Sequence, residues 1–475
     1  MNHTGGAVAA VDLGATSGRV MIGRVTPARV ALEPVARFPH GPVRRGDGLH
    51  WDWGALAAHV LDGLAEAVRR EPSLASVGID SWAVDYGLLR GDELLGEPFH
   101  YRDERTGRGV ERVHERLPFP ALHARNGLQF LPFTTLYQLA ADPLVAQADT
   151  LLLIPDLLAH LLAEVRVAER TNASTTGLLR ADGGAWDTEL AEAVGVSPAI
   201  LPRLADPGDR IGAVTGEAAR RIGATLPVVA VGSHDTASAV AAVPLSSPGS
   251  AYISCGTWGL VGVELTAPVQ TDAARDAGFT NERGVDGRIR FLRNVAGLWL
   301  LSEAVRTWEA QDGASVDLPA LLAEAESLPA TGPLFDANHP SLAAPGDMPA
   351  RIAVLLREAD HTVPATRAAF ARCIVESIAA AFAEAVASVA RVTGCAIDRV
   401  HLVGGGSLNR LLCRATARRT GLPVFAGPVE ATALGNVLVQ ARAHGWLGAG
   451  ATLEDLRTLV AASFPPVRFD PEEGR

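Results

Sequence analysis

The chain has 475 residues, 48% of them hydrophobic and 20% charged, a globular composition with core enough for roughly two to four domains. Its net charge is −11 with no basic stripe, which argues against a nucleic-acid partner and leaves any phosphate binding local and largely backbone-made. Lysine is absent from the chain, which excludes a Walker-type phosphate loop, a protein-kinase β3 strand, and Schiff-base or pyridoxal chemistry.

The N-terminus runs into a strand at Ala7 without a signal-peptide pattern. Ala7–Ala10 starts that strand, Asp12–Arg19 makes a turn, and Val20–Val25 returns, a hairpin with a tip of Gly, Thr and Ser. Such a tip either lets backbone N–H groups approach a phosphate or is a plain tight turn. Val77–Asp80 is a further short strand, followed by Ser81-Trp82-Ala83-Val84-Asp85, a candidate binding edge or a loop with one core Trp. Gly127–Leu139 and Leu151–Glu164 read as helical; Pro155, Asp156 and His160 interrupt the second, which is too short to cross a bilayer. Asn172–Thr176 is a hydroxyl-rich connection.

Val228–Val231 is an apolar, β-branched run suited to a buried strand, ended by Gly232-Ser233, and Ala237–Val243 reads as a helix start. Between them lie His234, Asp235 and Thr236. A carboxylate at a strand-to-helix turn stands at the sheet edge where α/β folds bind ligands and can take a proton from a substrate hydroxyl. An N-cap is the alternative role. Val243–Ser250 reads as a linker and candidate hinge. The opening pattern then recurs: Ala251–Ser254 is a strand, Cys255-Gly256-Thr257-Trp258-Gly259 a turn, and Leu260–Leu265 a returning strand. Ala365–Val392 is an Ala-rich amphipathic helix carrying Arg372, Glu376 and Glu384. Val400–Val403 is a strand leading to Gly404-Gly405-Gly406 and a helix from Ser407, a turn that admits a ligand close to backbone and helix N–H groups. A strand at Pro423–Ala426 and a helix from about Thr432 to Ala443 complete this half. The four cysteines, Cys255, Cys373, Cys395 and Cys413, contain no C-x-x-C pair and hence no zinc or disulfide framework. Two halves that each open with a hydroxyl-tipped hairpin indicate a duplication, with lobes 1–244 and 245–475 and a nucleotide between them. The expected location is cytoplasmic.

The hairpins, the glycine turn and the central Asp resemble the actin-like ATPase architecture. From Val11 to Ala441 the chain resembles the FGGY family of sugar kinases, in AAVDLGATSGRV, RTNASTTGLL, VGSHDTASAVAAVP, YISCGTWGLVGVE, IRFLRNVAGLWLL, HLVGGGSLNRLL and AGPVEATALGN. The resemblance implies an α/β fold of two ribonuclease-H-like domains flanking a catalytic cleft that closes on its ligands. It implies ATP-dependent phosphorylation of L-rhamnulose at the 1-hydroxyl, with Asp235 as the base and Asp12 holding Mg²⁺ through water. Ala15, Thr16, Ser17, Gly18, Arg19 and Thr257 would meet the phosphates, and Ser302, Gly404 and Gly405 the nucleotide. Ala83, His234, Thr236 and Asn294 would bind the sugar, and neither a membrane nor a nucleic acid is an expected partner. Three positions depart from the pattern of the family members that phosphorylate L-rhamnulose: Ala83 replaces Gly, Ser302 replaces Gln, and Asn281-Glu282-Arg283-Gly284 replaces Asn-Glu-Gly-Gly. A kinase for another ketose (L-fuculose, L-ribulose or D-xylulose) and a non-catalytic sugar or nucleotide sensor are the alternatives.

Overall fold

The computed structural model describes residues 5–245 and 247–471; Ser246, within the expected linker, lies outside them. The chain divides into two compact units, and the division is not sequential. The first unit contains the residues up to Pro244 together with Glu264–Phe291 and Ala431–Ser463; the second contains Leu245–Val263, Leu292–Glu430 and the C-terminal residues from Phe464. The expected boundary at 244/245 therefore ends only the first segment of the first unit. The later segments join that unit for physical reasons: helix Ala431–Ala443 is apolar on nearly all sides and packs on the unit's central strands, and Arg457 forms a two-point ion pair with Glu264 at 2.8 and 2.9 Å.

The first unit is built on a six-stranded sheet of β1 (Gly6–Leu13), β2 (Ser17–Thr26), β3 (Arg29–Pro39), β4 (Leu74–Ser81), β5 (Arg210–Ala213) and β6 (Pro227–Val229), in the order β5-β6-β4-β1-β2-β3. β1 pairs antiparallel with β2 and parallel with β4. A central strand with a parallel neighbour is buried on both faces, which is why β1 reads as an almost unbroken apolar run ending in Asp12. The strands extend further than the pattern of apolar residues suggests. The first turn shrinks to Gly14–Thr16, and Asp12 and Arg19 become directly opposed strand residues.

The second unit repeats the plan. β7 (Ser250–Cys255) and β8 (Trp258–Leu265) form an antiparallel hairpin, β9 (Ile289–Ala296) follows β8, and β10 (Arg399–Val403), β11 (Val424–Ala426) and β12 (Val467–Phe469) continue on the other side of β7, in the order β9-β8-β7-β10-β11-β12. β7 with β10 and β10 with β11 are parallel. Both sheets thus set a hairpin against two parallel strands, the topology expected of a duplication.

Three expectations change. Leu151–Glu164 splits into a strand, Thr150–Leu153, and a helix, Ile154–Ala163, because Pro155 is favoured in the first helical turn. In Gly127–Leu139 only Thr135 onward is helical. After Gly404 comes a single 3₁₀ turn, Gly405–Leu408, and the helix runs Arg410–Thr420 with Asn409 Oδ1 accepting the Leu412 N–H at 3.0 Å, so a side chain occupies the helix N-terminus. Among the described residues one helix, Arg367–Thr393, is long and apolar enough to cross a membrane; 67% of its most apolar window is buried inside the protein.

Candidate active site

Asp235 stands at the end of β6, where Gly232 and Ser233 break the strand and a short helix, Asp235–Ala241, begins. The capping position is His234, in an extended conformation, and Asp235 is the first helical residue. Its carboxylate accepts the Thr236 hydroxyl at 3.0 Å and lies 3.4 Å from His234 Nε2, with 29% of the side chain exposed. His234 is held from behind: Nδ1 lies 3.1 Å from Arg290 NH2 and 3.2 Å from Glu282 Oε2. Arg290, fully buried, pairs with Glu282 at 3.0 Å and donates from Nε to the Arg283 carbonyl. Burial alone would raise the Glu282 carboxyl, but the Arg290 charge brings it below the usual range. With Nδ1 accepting from Arg290, His234 carries its ring proton on Nε2, 3.4 Å from the Asp235 carboxylate. The turn is clamped on its other side by buried Glu169, whose oxygens accept Ser233 N at 3.0 Å, Ser233 Oγ at 2.8 Å and Thr171 Oγ1 at 2.5 Å.

Asp12 is buried and paired with Arg19 Nε at 2.9 Å, a contact set by their opposition across the hairpin. In the parallel pairing of β1 with β4 its partner is Asp80. Asp80 is fully buried; that burial, and then the charges of Asp12 and Asp235, push its carboxyl well above the ordinary range. The three carboxylates therefore share one sheet edge. Asn436 Nδ2 donates to Asp80 Oδ2 at 2.6 Å, while Oδ1 is buried without a hydrogen-bond partner among the described residues. A polar chain leads away from it. Gln440 Nε2 donates to Asn436 Oδ1, Ser76 Oγ donates to Gln440 Oε1, each at 2.7 Å, and His444 Nε2 meets Ser76 Oγ at 2.9 Å. Because the Ser76 proton is committed to Gln440, His444 must donate, and every donor in the chain points toward Asp80. An orphaned buried oxygen beside an oxygen-only donor set suits a hard cation such as Mg²⁺.

The loop after β4 is strained. Val84 adopts φ 70°, and Asp85 N donates to Ala83 O at 3.0 Å, a γ-turn with a β-branched residue at its centre. The turn is held by Thr135 Oγ1, which donates to Val84 O at 2.7 Å, and by Asp85, whose carboxylate accepts Trp51 Nε1 at 2.7 Å, Gln138 Nε2 at 2.9 Å, Trp82 Nε1 at 3.1 Å and Tyr101 N at 3.2 Å. Burial lifts the Asp85 carboxyl to about 6 despite these donors. Trp82 is thus a buried core residue with its N–H satisfied, its ring 4.1 Å from that of Trp51. His40 packs beside both indoles, and burial lowers its imidazole to about 4 and that of His100 to about 3.

In the second unit, the hairpin tip and the glycine turn come together. Gly404 has φ 80°, and a Cβ there would lie 2.9 Å from the Cys255 carbonyl oxygen; a Cβ on Gly406 would lie 2.5 Å from Cys255 Sγ. The Gly256 and Thr257 carbonyls accept Leu298 N and Trp299 N at 2.9 and 3.1 Å, placing the tip against the start of the helix Trp299–Asp312 that carries Ser302. Asn294 lies on β9 of this unit. Cys255 is buried, its thiol pushed up to about 12 by burial, and is inert packing.

The motifs did not single out Asp80, Glu169, Glu282, Arg290 or the Asn436–Gln440–His444 series. The readable signal was polar residues in otherwise apolar elements, above all Asn436 and Gln440 on one face of the helix Ala431–Ala443, with His444 four residues further on in the turn that follows.

Residues 8–242 match the N-terminal domain, and residues 251–444 the C-terminal domain, of the FGGY family of carbohydrate kinases. The chain is similar to a rhamnulokinase of Bacteroides thetaiotaomicron, 38% identical over 98% of this chain and 96% of that one. It is also similar to a rhamnulokinase of Pectobacterium carotovorum, 40% identical over 98% and 93%. Among solved structures it is similar to xylulose kinase from Rhodospirillum rubrum (TM-score 0.76, 21% identity, 98% of this chain and 94% of that chain). It also resembles glycerol kinase from Plasmodium falciparum with ADP (TM-score 0.78, 14% identity, 98% and 94%).

Proposed function

The chain belongs to the FGGY family of carbohydrate kinases, and from that premise we propose that it transfers the γ-phosphoryl group of ATP to the 1-hydroxyl of L-rhamnulose, giving L-rhamnulose 1-phosphate and ADP. The observation that carries the reading is the state of Asp235: released from capping, partly exposed, and 3.4 Å from a His234 ring that a buried Arg290–Glu282 pair holds. Asp235 accepts the proton of the sugar hydroxyl while that oxygen bonds to the γ-phosphorus and the bond to the ADP oxygen breaks. His234 and Thr236, one on each side of the base, and Ala83 on the strained turn bind the sugar with Asn294. The backbone of Ala15–Gly18, with Arg19, takes the γ-phosphate, and Thr257, Ser302, Gly404 and Gly405 take the nucleotide. Asp12 would hold a Mg²⁺ ion through water, with Asp80 beside it, and the ion would neutralise charge on the phosphate oxygens. The substrate assignment rests on the two rhamnulokinases and on the neighbours of the base.

A coupled assay of L-rhamnulose, L-fuculose, L-ribulose and D-xylulose tests the reading. L-Rhamnulose should give the highest kcat/KM; faster turnover of another sugar overturns the substrate assignment. Absence of sugar-dependent ADP release with every sugar overturns the kinase assignment.

A further inference from the structure

A second cluster of charge lies in the second unit, away from every residue assigned above. Helices Arg367–Thr393 and Arg410–Thr420 pack against each other, and between them and the segment 326–331 opens a cavity of about 960 Å³. Arg372, Arg414, Arg418 and Arg419 line it, against a single lining carboxylate, Glu326. Beneath the floor, buried Glu376 is shared by three of these arginines: Arg372 NH2 at 3.0 Å, Arg419 NH2 at 2.7 Å, and Arg418. Arg414 pairs with Glu326 at 3.2 Å. Four guanidinium groups thus face two carboxylates, leaving two positive charges uncompensated in a chain whose net charge is −11.

The arrangement is built rather than incidental. The Arg372 side chain is only 8% exposed, and its Nε is buried with no hydrogen-bond partner among the described residues. Arg418 and Arg419 keep 26% and 22% of their side chains exposed, so their remaining N–H donors are accessible while Glu376 fixes their positions. Guanidinium forks held in place are the preferred partners of phosphate oxygens, and a phosphate monoester brings about two negative charges. The cavity lies at the upper end of the ~300–1,000 Å³ that small-molecule sites span, larger than phosphate alone requires. Leu328, Pro329 and Leu411 supply apolar wall for the rest of the molecule.

We propose that this cavity is a binding site for a small phosphate ester, separate from the nucleotide residues Thr257, Ser302, Gly404 and Gly405, none of which lines it. The inference does not depend on which sugar is phosphorylated. It is tested on the full chain by titration calorimetry with fructose 1-phosphate, inorganic phosphate and unphosphorylated fructose, each without and with the non-hydrolysable analogue AMP-PNP at saturation. Fructose 1-phosphate should bind more tightly than inorganic phosphate, more weakly as salt rises, and unphosphorylated fructose should not reproduce its signal. Thr331→Glu puts a carboxylate on the exposed rim without removing any ion pair, and should weaken binding at least tenfold. Arg414→Gln with Arg418→Gln should do the same while Arg372 and Arg419 keep Glu376 paired; if one variant fails to fold by circular dichroism, the other decides. Asp235→Asn should leave the binding unchanged. Binding that survives both cavity substitutions, or that AMP-PNP abolishes, places the ester in the catalytic site and overturns the proposal, as does absence of binding at millimolar ester.

Discussion

The two hairpins share a topology and differ in chemistry. In the first, the residue pair next to the tip's closing pair is Asp12 with Arg19, an ion pair beside two further carboxylates. In the second, the corresponding pair is Ser254 with Leu260, and what approaches the tip is backbone: Gly404, Gly406 and the start of a helix. One copy of the scaffold has become a set of oriented side chains and the other a set of exposed peptide groups. That division suits phosphoryl transfer, in which one substrate must lose a proton and the other needs only to be cradled. It also predicts that the halves fail differently: charge changes in the first unit should strike turnover, and added methyl groups in the second should strike nucleotide affinity.

The largest effect belongs to the base. Asp235→Asn should lower kcat by about 10²- to 10⁴-fold. The thermal midpoint should stay near that of the parent protein, because His234 and not Asp235 caps the helix. A variant that retains turnover removes Asp235 from its role. Next comes the glycine turn. Gly404→Ala places a Cβ 2.9 Å from the Cys255 carbonyl at a residue with φ 80°, which should cost about 1–3 kcal/mol of stability and raise the KM for ATP more than it lowers kcat. An equal loss with sugar and ATP would erase the contrast between the halves. A smaller effect is expected at Asn436→Leu. It strips buried Asp80 of its one donor among the described residues and breaks the chain to His444, at about 1–3 kcal/mol. Its turnover should fall most at low Mg²⁺, which a Mg²⁺ titration measures.

Much of the frame was legible in the sequence because it depends on local signals. Apolar β-branched runs ended by glycines marked the strands of both hairpins, and Gly404–Gly406 marked a close approach. What was not legible depends on distant pairs. Glu169 clamps Ser233 across 64 positions, and Arg290 reaches His234 across 56. Neither partner has a local pattern, since an acid before a polar loop and an arginine in a strand have the same appearance when solvated. The second hairpin's return strand and β9 each contain residues of both units, and no local signal announces the two later segments that join the first unit. Asp235 was ambiguous because its neighbour took over the cap.

The smallest effect concerns acid. In the first unit His40 and His100 have imidazoles lowered to about 4 and about 3, chiefly by burial. The unfolded chain titrates them near 6.5, so below that pH it binds protons that the folded unit refuses. Their contribution to stability is complete above about pH 6.5 and is lost as pH falls toward 4. Asp85 has the opposite sign: its carboxyl, lifted to about 6, takes up a proton in the folded state first, so it offsets part of the loss between about pH 6 and 4. Within this cluster two imidazoles against one carboxyl leave a net fall. Calorimetry at pH 7.5, 6.5, 5.5 and 4.5 should show the thermal midpoint dropping with acid. The drop should be shallower in His40→Leu, which fills the space beside the indoles without a titrating ring. Asp85→Asn should steepen it, because the compensating proton uptake is gone. Parallel curves for all three proteins would show that the acid response arises outside this cluster, and the first unit would lose its distinction as the charged half.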